Sequence, residues 1–217
     1  TTEIYTLSLH DALPIWLYAD NRLFPWARVL AMARQDIGYD GYFPEYASRE
    51  LEKEFMFSNP FGESPLGFVE RRDEPVAWGA LEDLAELKIG TVLGYVNTDE
   101  FDSLAAAGVL SVETVTSDLL NVRKVAAGRL RLAVIDRHVL AWLLENDDSV
   151  SPYAGQLQFS GRALEIKPLF VCFRRGERGE ELAAVFNEGL GRIDADAIMA
   201  AYLEPESPAR PGGLKAE

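Results

Sequence analysis

Short apolar runs alternate regularly with amphipathic stretches through the middle of the chain. The runs predict strands, and the stretches, whose apolar residues recur at helical spacing, predict helices. In chain order these elements are predicted at 88–92, 98–107, 109–115, 118–127, 130–135 and 137–145. The run 132–135 is apolar throughout, which is typical of a strand buried on both faces of a parallel sheet. The pattern therefore predicts an α/β unit in which helices flank a parallel sheet.

A second set of elements lies on either side of this unit. Pro25 suits the first position of a helix that ends at Gly38, and the apolar stripe of this helix, which includes Trp26, is interpreted as core. Strands are predicted at 39–43, 54–57, 66–71 and 164–173. A helix and a shorter final helix capped by Asp194 follow. Two α/β units are thus expected in one chain.

Composition and charge exclude some classes of binding partner. Of the 217 residues, 48% are hydrophobic and 26% are charged, which is enough apolar material for one large or two small cores. The formal net charge of −14 comes from 35 acidic and 21 basic residues. Such a surface without a basic patch repels a phosphate backbone, so nucleic acid is not an expected partner. No apolar run is long enough for a membrane helix, and the N-terminus lacks the pattern of a signal peptide.

Cysteine and histidine are too sparse for a metal site. Cys172 is the single cysteine, so an internal disulfide is excluded, and its apolar neighbours predict a small buried side chain. The two histidines, His10 and His138, are far apart, and no carboxylate spacing completes a zinc site. We therefore expect no metal and no cofactor.

Both ends of the chain differ from the rest. Residues 1–15 show no sustained period, and 2–15 resemble a translated sequencing adaptor, so they are expected to be non-native; an irregular N-terminal arm is the alternative. Residues 205–217 are rich in Pro and Gly and are expected to be a disordered tail.

Several short strings, in a fixed order between Phe24 and Tyr202, resemble family 3 periplasmic solute-binding proteins, the polar-amino-acid binders of bacterial ATP-driven importers. The strings are Pro25-Trp26-Ala27-Arg28, Tyr39-Asp40-Gly41, Phe57-Ser58-Asn59-Pro60-Phe61, Leu81-Glu82-Asp83-Leu84, Ile89-Gly90-Thr91-Val92-Leu93-Gly94, Ala127-Gly128-Arg129, Ala133-Val134-Ile135-Asp136 and Phe186-Asn187-Glu188-Gly189-Leu190. Each string is weak alone, and their shared order makes the joint resemblance specific.

The resemblance implies a two-lobed α/β fold of type II, with the second lobe inserted in the first and two hinge crossings. Lobe one would comprise residues 16–73 and 167–204, and lobe two residues 74–166. The family opens with a further strand and helix, which are missing here, so an N-terminally truncated and incomplete lobe one is expected.

The same resemblance implies what the protein does. It would bind a small polar, amino-acid-like solute between its lobes and deliver it to the membrane permease of an ABC importer. A periplasmic monomer without catalytic activity is expected, its export signal being absent from this sequence. Two alternatives remain open. One is a dehydratase-like enzyme on the same fold, with Glu45 and Asp136 as acid and base; the other is the sensory domain of a signalling protein.

Candidate ligand-binding residues fall in both lobes. Asp136 ends a buried strand, where ligands of open α/β sheets bind, and the resemblance implies that it pairs with a ligand amino group; an N-cap role is the alternative. Tyr95, Asn97 and Thr98 lie in a strand-to-helix turn whose free N–H groups suit an anionic oxygen, or which is an ordinary capped turn.

In lobe one the family has an arginine six residues before the Phe of its Phe-Ser motif, where it binds the ligand carboxylate. Leu51 stands at that position, and Arg49, two residues away, is the possible substitute. Glu45 and Tyr46 fall where the family lines its cleft; a solvated turn is the alternative. The departure at Leu51 leaves the chemical class of the ligand open.

Overall fold

A computed structural model describes residues 20–35 and 38–203; the predicted arm 1–15 and tail 205–217 lie outside this described part. The strands are β1 Gly41–Glu45, β2 Phe55–Phe57, β3 Gly62–Arg71, β4 Lys88–Val92, β5 Ser111–Val115, β6 Leu132–Asp136, β7 Leu157–Phe159 and β8 Glu165–Arg174. The α-helices are α1 Trp26–Ala33, α2 Leu51–Glu54, α3 Asp99–Ala106, α4 Asp118–Ala126, α5 Arg137–Asn146, α6 Glu177–Leu190 and α7 Ala195–Leu203. Short 3-10 turns span Leu81–Leu84 and Ser151–Tyr153.

The strands form a sheet in the order β1-β8-β3-β6-β4-β5, with β2 also paired to β8 and β7 to β3. Strands β3 and β8 are the longest, and they cross side by side in antiparallel register from Gly62 opposite Leu169 to Leu66 opposite Glu165. Beyond this shared stretch each strand pairs with a different partner. The two strands therefore join two lobes, and lobe two is inserted between them in the chain.

Lobe two is built around a parallel sheet. Strand β4 pairs in parallel with β5 on one side and with β6 on the other. Strand β6 is buried along its whole length, since helices cover both faces of this sheet. The predicted alternation of strands and helices between residues 88 and 146 is therefore present, with element ends shifted by up to two residues.

Lobe one packs helices on both faces of the sheet formed by β1, β2 and the second half of β8. On one face α6 and α7 cover a core around Phe173 and Phe186. On the other face α1 packs on a core that contains Leu51 and the buried thiol of Cys172. The predicted burial of Cys172 is thus present in the structure.

The sequence did not predict α2 or β7, and helix α1 ends at Ala33 instead of continuing to Gly38. Strand β3 begins earlier than predicted. The sequence predicts a strand at 66–71, whereas the strand begins at Gly62 and contains Pro65. A proline interrupts the strand pattern because it lacks an N–H group, so its pairing depends on the neighbouring strand. From Leu66 onward β3 already pairs with β6 of lobe two. The lobe boundary at residue 73 stays a prediction.

None of the helices in the described ranges is long and apolar enough to cross a membrane.

Candidate functional site

A cavity of about 450 Å³ lies between the two lobes. On the lobe-two side its walls are the segments that follow β4 and β5, together with the end of β6. Parallel strands end at the same edge of a sheet, and open α/β sheets bind ligands outside that edge. Lobe one contributes the segment before α1 and the end of β1, while Leu66 and Leu169 of the crossing strands also line the cavity.

Glu45 and Tyr46 form the lobe-one side of the cavity. Glu45 is only 4% exposed. One carboxylate oxygen accepts the Tyr46 N–H at 2.8 Å, and the other accepts the Tyr42 hydroxyl at 3.2 Å. Burial nevertheless raises the pKa of Glu45 to about 7, against the lowering effect of these bonds and of the charge of Lys167. This carboxyl group therefore titrates near neutral pH.

Asp118 is the first residue of α4 and lies in the lobe-two wall. The Tyr95 hydroxyl donates to its carboxylate at 2.8 Å. Asp118 is 6% exposed, and burial raises its pKa to about 6, although the bond from Tyr95 lowers it. A second buried acid thus titrates in the neutral range within the same cavity.

Asp136 connects lobe two to the hinge. Its carboxylate caps α5 by accepting the N–H groups of His138 at 2.5 Å and of Val139 at 2.9 Å. The Ser64 hydroxyl, on crossing strand β3, donates to its other oxygen. Ser64 also shares a hydrogen bond of 2.6 Å with the Tyr46 hydroxyl of lobe one. Asp136 therefore acts as an N-cap while it lines the cavity, and its pairing with a ligand amino group stays a prediction.

The remaining predicted residues are placed elsewhere. The Thr98 hydroxyl accepts the Phe101 N–H at 3.1 Å as the N-cap of α3, and Asn97 donates to Asp102 at 2.7 Å. Both are buried, and neither lines the cavity. Arg49 is exposed and lies outside the lining as well. Of the predicted site residues the structure thus brings together Glu45, Tyr46, Tyr95 and Asp136, whereas Arg49, Asn97 and Thr98 do not reach the cavity.

Known proteins resemble this chain in structure. A histidine kinase sensor domain with similarity to periplasmic binding proteins superposes with a TM-score of 0.76 at 21% identity, covering 94% of this chain and 85% of that one. The amino-acid ABC transporter substrate-binding protein AbpA of Streptococcus pneumoniae, bound to L-arginine, superposes with a TM-score of 0.73 at 14% identity, covering 93% and 82%. The chain has the fold of periplasmic binding proteins.

An ancestral amino-acid-binding protein that is a precursor of cyclohexadienyl dehydratase has the same fold, with a TM-score of 0.66 at 18% identity, covering 93% of this chain and 82% of that one. No protein-family model matches the sequence. No curated protein matches it either. The expected two-lobed type II fold is confirmed, and the neighbours include transport and sensor proteins of this fold.

Two residues of this binding-protein fold were missed by sequence reasoning. Trp26 was assigned to the core; it packs there only in part, and it also lines the cavity. Asp118 was taken only as a helix start. It lies three residues after the end of β5, at the same sheet edge as Asp136, so an acid between a parallel strand and the following helix was the signal that could have identified it.

The two lobes are in direct contact beside the cavity. The Trp26 indole N–H of lobe one donates to the Gly94 carbonyl of lobe two at 3.1 Å, and its ring meets the edge of Tyr95 at 5.7 Å between centroids. Gly94 has a positive φ of 81°, and a Cβ atom there would lie 3.1 Å from Leu30 Cδ1. A glycine thus lets lobe one approach closely, and Trp26 and Gly94 form an interlobe clasp.

The raised pKa of Glu45 predicts how the stability of the free protein depends on pH. The pKa lies near 4.5 without burial and near 7 in the fold, so the folded state binds the proton more tightly. The contribution of Glu45 is fully present below about pH 4.5 and is lost as pH rises through about 7, on the order of 3 kcal/mol. Urea titrations at several pH values measure it. Glu45→Gln should flatten this part of the profile, and an unchanged profile in that variant would contradict the assignment.

Proposed function

We propose that this protein binds a small amine-bearing solute in the interlobe cavity and that the lobes close around it. The observation that supports this most directly is the convergence of Glu45 from lobe one with Asp118 and Asp136 from lobe two on one cavity beside a two-strand hinge. A ligand that contacts both lobes interacts more strongly with the closed arrangement than with the open one, and this difference drives closure.

The closed form would be the signal that a membrane permease recognises. On this proposal the protein is a periplasmic monomer that delivers its ligand to an ATP-driven importer, as the neighbour AbpA is a substrate-binding protein of an ABC transporter. A sensor role is a second candidate, because a histidine kinase sensor domain has a TM-score of 0.76 to this chain. The complete reading frame separates the two, since a kinase domain in the same frame would favour the sensor.

We further propose that the protein is a carrier and not a catalyst. An acid–base pair of Glu45 and Asp136 would require a carboxylate able to exchange protons with a substrate. Asp136 instead accepts two backbone N–H groups and the Ser64 hydroxyl, so both of its carboxylate oxygens already hold donors of the fold as a helix cap and hinge contact. Incubation with prephenate and arogenate tests this point, and product formation would overturn it.

Titration calorimetry tests the binding proposal. The panel contains the polar amino acids together with simple amines and guanidines, and small-angle scattering follows the radius of gyration. At least one solute should bind with one-to-one stoichiometry and reduce the radius of gyration as the lobes close. If no solute of the panel binds, and circular dichroism shows that the protein is folded, the proposal is rejected.

The interlobe clasp gives a mutational prediction. Trp26→Phe keeps an aromatic ring but removes the N–H that donates to Gly94. A hydrogen bond contributes about 0.5–1.5 kcal/mol net, so ligand affinity should fall by about two- to tenfold and the radius of gyration of the complex should rise. Trp78→Phe is the matched control, because Trp78 contacts the Phe68 ring edge-to-face and does not line the cavity. Equal effects of the two variants would show that the clasp does not contribute to closure.

A further inference from the structure

We propose that the ligand of this cleft is an organic cation without a carboxylate group, an aliphatic amine or guanidine. The inference rests on the proposed function and names the chemical class that the same cavity accepts. Its basis is the charge, the orientation of donors and the aromatic surface of the cavity wall.

The charges that line the cavity have one sign. Among the described residues, the ionisable acids in the wall are Glu45, Asp118 and Asp136, and no lysine, arginine or histidine joins them. Two cations contact aromatic residues of the wall from outside the lining. Lys167 lies 5.4 Å from the ring centroid of Tyr46 and 3.8 Å from Glu165, and the exposed Arg28 lies 4.9 Å from the ring centroid of Phe24.

The three carboxylates sit on three different elements and are held in place separately. Glu45 ends β1, Asp118 begins α4, and Asp136 ends β6. In the described part of the chain, no three side chains among His, Cys, Asp and Glu form a group that could hold a metal ion. Negative charge is thus spread along the cavity wall, an arrangement that suits an extended organic cation.

At the helix starts that could attract a ligand carboxylate, the chain supplies its own caps and acidic side chains. Helix N-termini favour anions, and α4 and α5 both begin at the cavity. At α5 the two N–H groups are taken by Asp136, and at α4 the Ser117 hydroxyl accepts the Leu120 N–H while Asp118 occupies the first turn. The N-terminus of α3 is capped by Thr98, which lies outside the lining.

The hydroxyl donors of the wall also face the protein's own acceptors. The Tyr95 hydroxyl donates to Asp118, and the Tyr46 hydroxyl is bonded to Ser64, which donates to Asp136. The Trp26 N–H donates to the Gly94 carbonyl. Among the side-chain donors of the wall, the hydroxyls of Thr116 and Ser117 remain. Both are neutral, so a carboxylate bound there would lie against like charges without a cation to balance it.

Aromatic rings complete a wall suited to a cation. Phe24, Trp26, Tyr46 and Tyr95 line the cavity. The π face of such rings attracts ammonium and guanidinium groups, most strongly where water is excluded. A bound cation would therefore gain from the rings as well as from the acids, and it would offset the charge that burial makes costly in Glu45 and Asp118.

Matched pairs of ligands test the inference. 1,5-Diaminopentane differs from L-lysine, and agmatine from L-arginine, only by the carboxylate. In calorimetry at about pH 8 the amine of each pair should bind about tenfold or more tightly than its amino acid, since a like charge in the cleft costs well over 1 kcal/mol. Equal or tighter binding of L-lysine and L-arginine, or of an uncharged amino acid, would overturn the inference and leave the proposed binding function intact. No binding of any solute would reject both.

A variant pair locates the cation. Asp118→Asn keeps the shape of the side chain and removes its charge, so affinity for 1,5-diaminopentane should fall about tenfold or more. Asp99→Asn is the matched control, since Asp99 also begins a helix of lobe two but is exposed and lies outside the cavity. Thermal unfolding of both variants checks that they are folded. A folded Asp118→Asn protein with unchanged affinity would overturn the inference.

Discussion

Affinity for 1,5-diaminopentane is expected to rise by about two to three orders of magnitude from about pH 5 to about pH 8. A protonated diamine, with pKa values near 10, keeps its charge over this range. Burial raises the pKa of Glu45 to about 7 and that of Asp118 to about 6, so both acids are neutral at the lower pH. The cation binds to the ionised forms of these acids. Below its pKa each acid must first lose its proton, and the free energy of that deprotonation weakens binding.

Calorimetry across this pH range measures the effect, and three variants separate its origins. Glu45→Gln should remove the step near pH 7, and Asp118→Asn should remove the step near pH 6. The other charged or titratable groups that interact with Glu45 are Tyr42, Tyr46, Tyr95, Cys172 and Lys167. Asp99→Asn, outside the cavity, should leave both steps in place. A pH-independent affinity in the unmodified protein would show that neither acid faces the bound cation.

Gly179→Ala is expected to lower the free energy of unfolding by about 3 kcal/mol or more. Gly179 lies in the first turn of α6, where the chain turns back from β8. A Cβ atom at this position would lie 1.8 Å from the backbone oxygen of Arg174 and 3.0 Å from its carbonyl carbon. Because backbone atoms cannot rotate away as a side chain can, either the end of β8 or the start of α6 must move. That movement would disturb the core between α6 and the sheet of lobe one.

Gly191→Ala, just past the end of the same helix, is the matched control. Gly191 has a φ of −68°, and a Cβ atom there would meet nothing closer than 3.6 Å. Its substitution should change stability by less than about 1 kcal/mol, since alanine adopts this conformation without strain. Urea unfolding of both variants measures the difference. Equal stabilities would mean that the turn between β8 and α6 adapts without cost.

In lobe two the local sequence pattern predicts most of the secondary structure. Between residues 88 and 146 its strands and helices are short and alternate along the sequence, so apolar periodicity predicts them within one or two residues, whereas β7 was not predicted. The capping residues also mark where its helices begin, because Thr98, Ser117 and Asp136 each accept a backbone N–H at a helix start. The position of Asp136 at a sheet edge followed from this order alone.

The sequence was less informative where a residue's role depends on distant partners. Strand β3 includes Pro65 because its pairing with β8, about a hundred residues further along the chain, compensates locally poor strand residues. Asn97 and Thr98 were candidates for ligand contact, and their side chains instead bond to Asp102 and Phe101. Leu51, at the position where an arginine was expected, packs in the core of lobe one.

The sequence by itself determined the alternation of strands and helices, the division into two α/β units and the acid at the end of β6, since each depends on neighbours along the chain. Only the tertiary structure decided that Glu45 and Asp118 share a cavity with Asp136, and that Trp26 reaches across to Gly94. Hinge geometry and chain crossover set these distances. Burial in the common cavity, which no local pattern encodes, then raises the pKa values of Glu45 and Asp118.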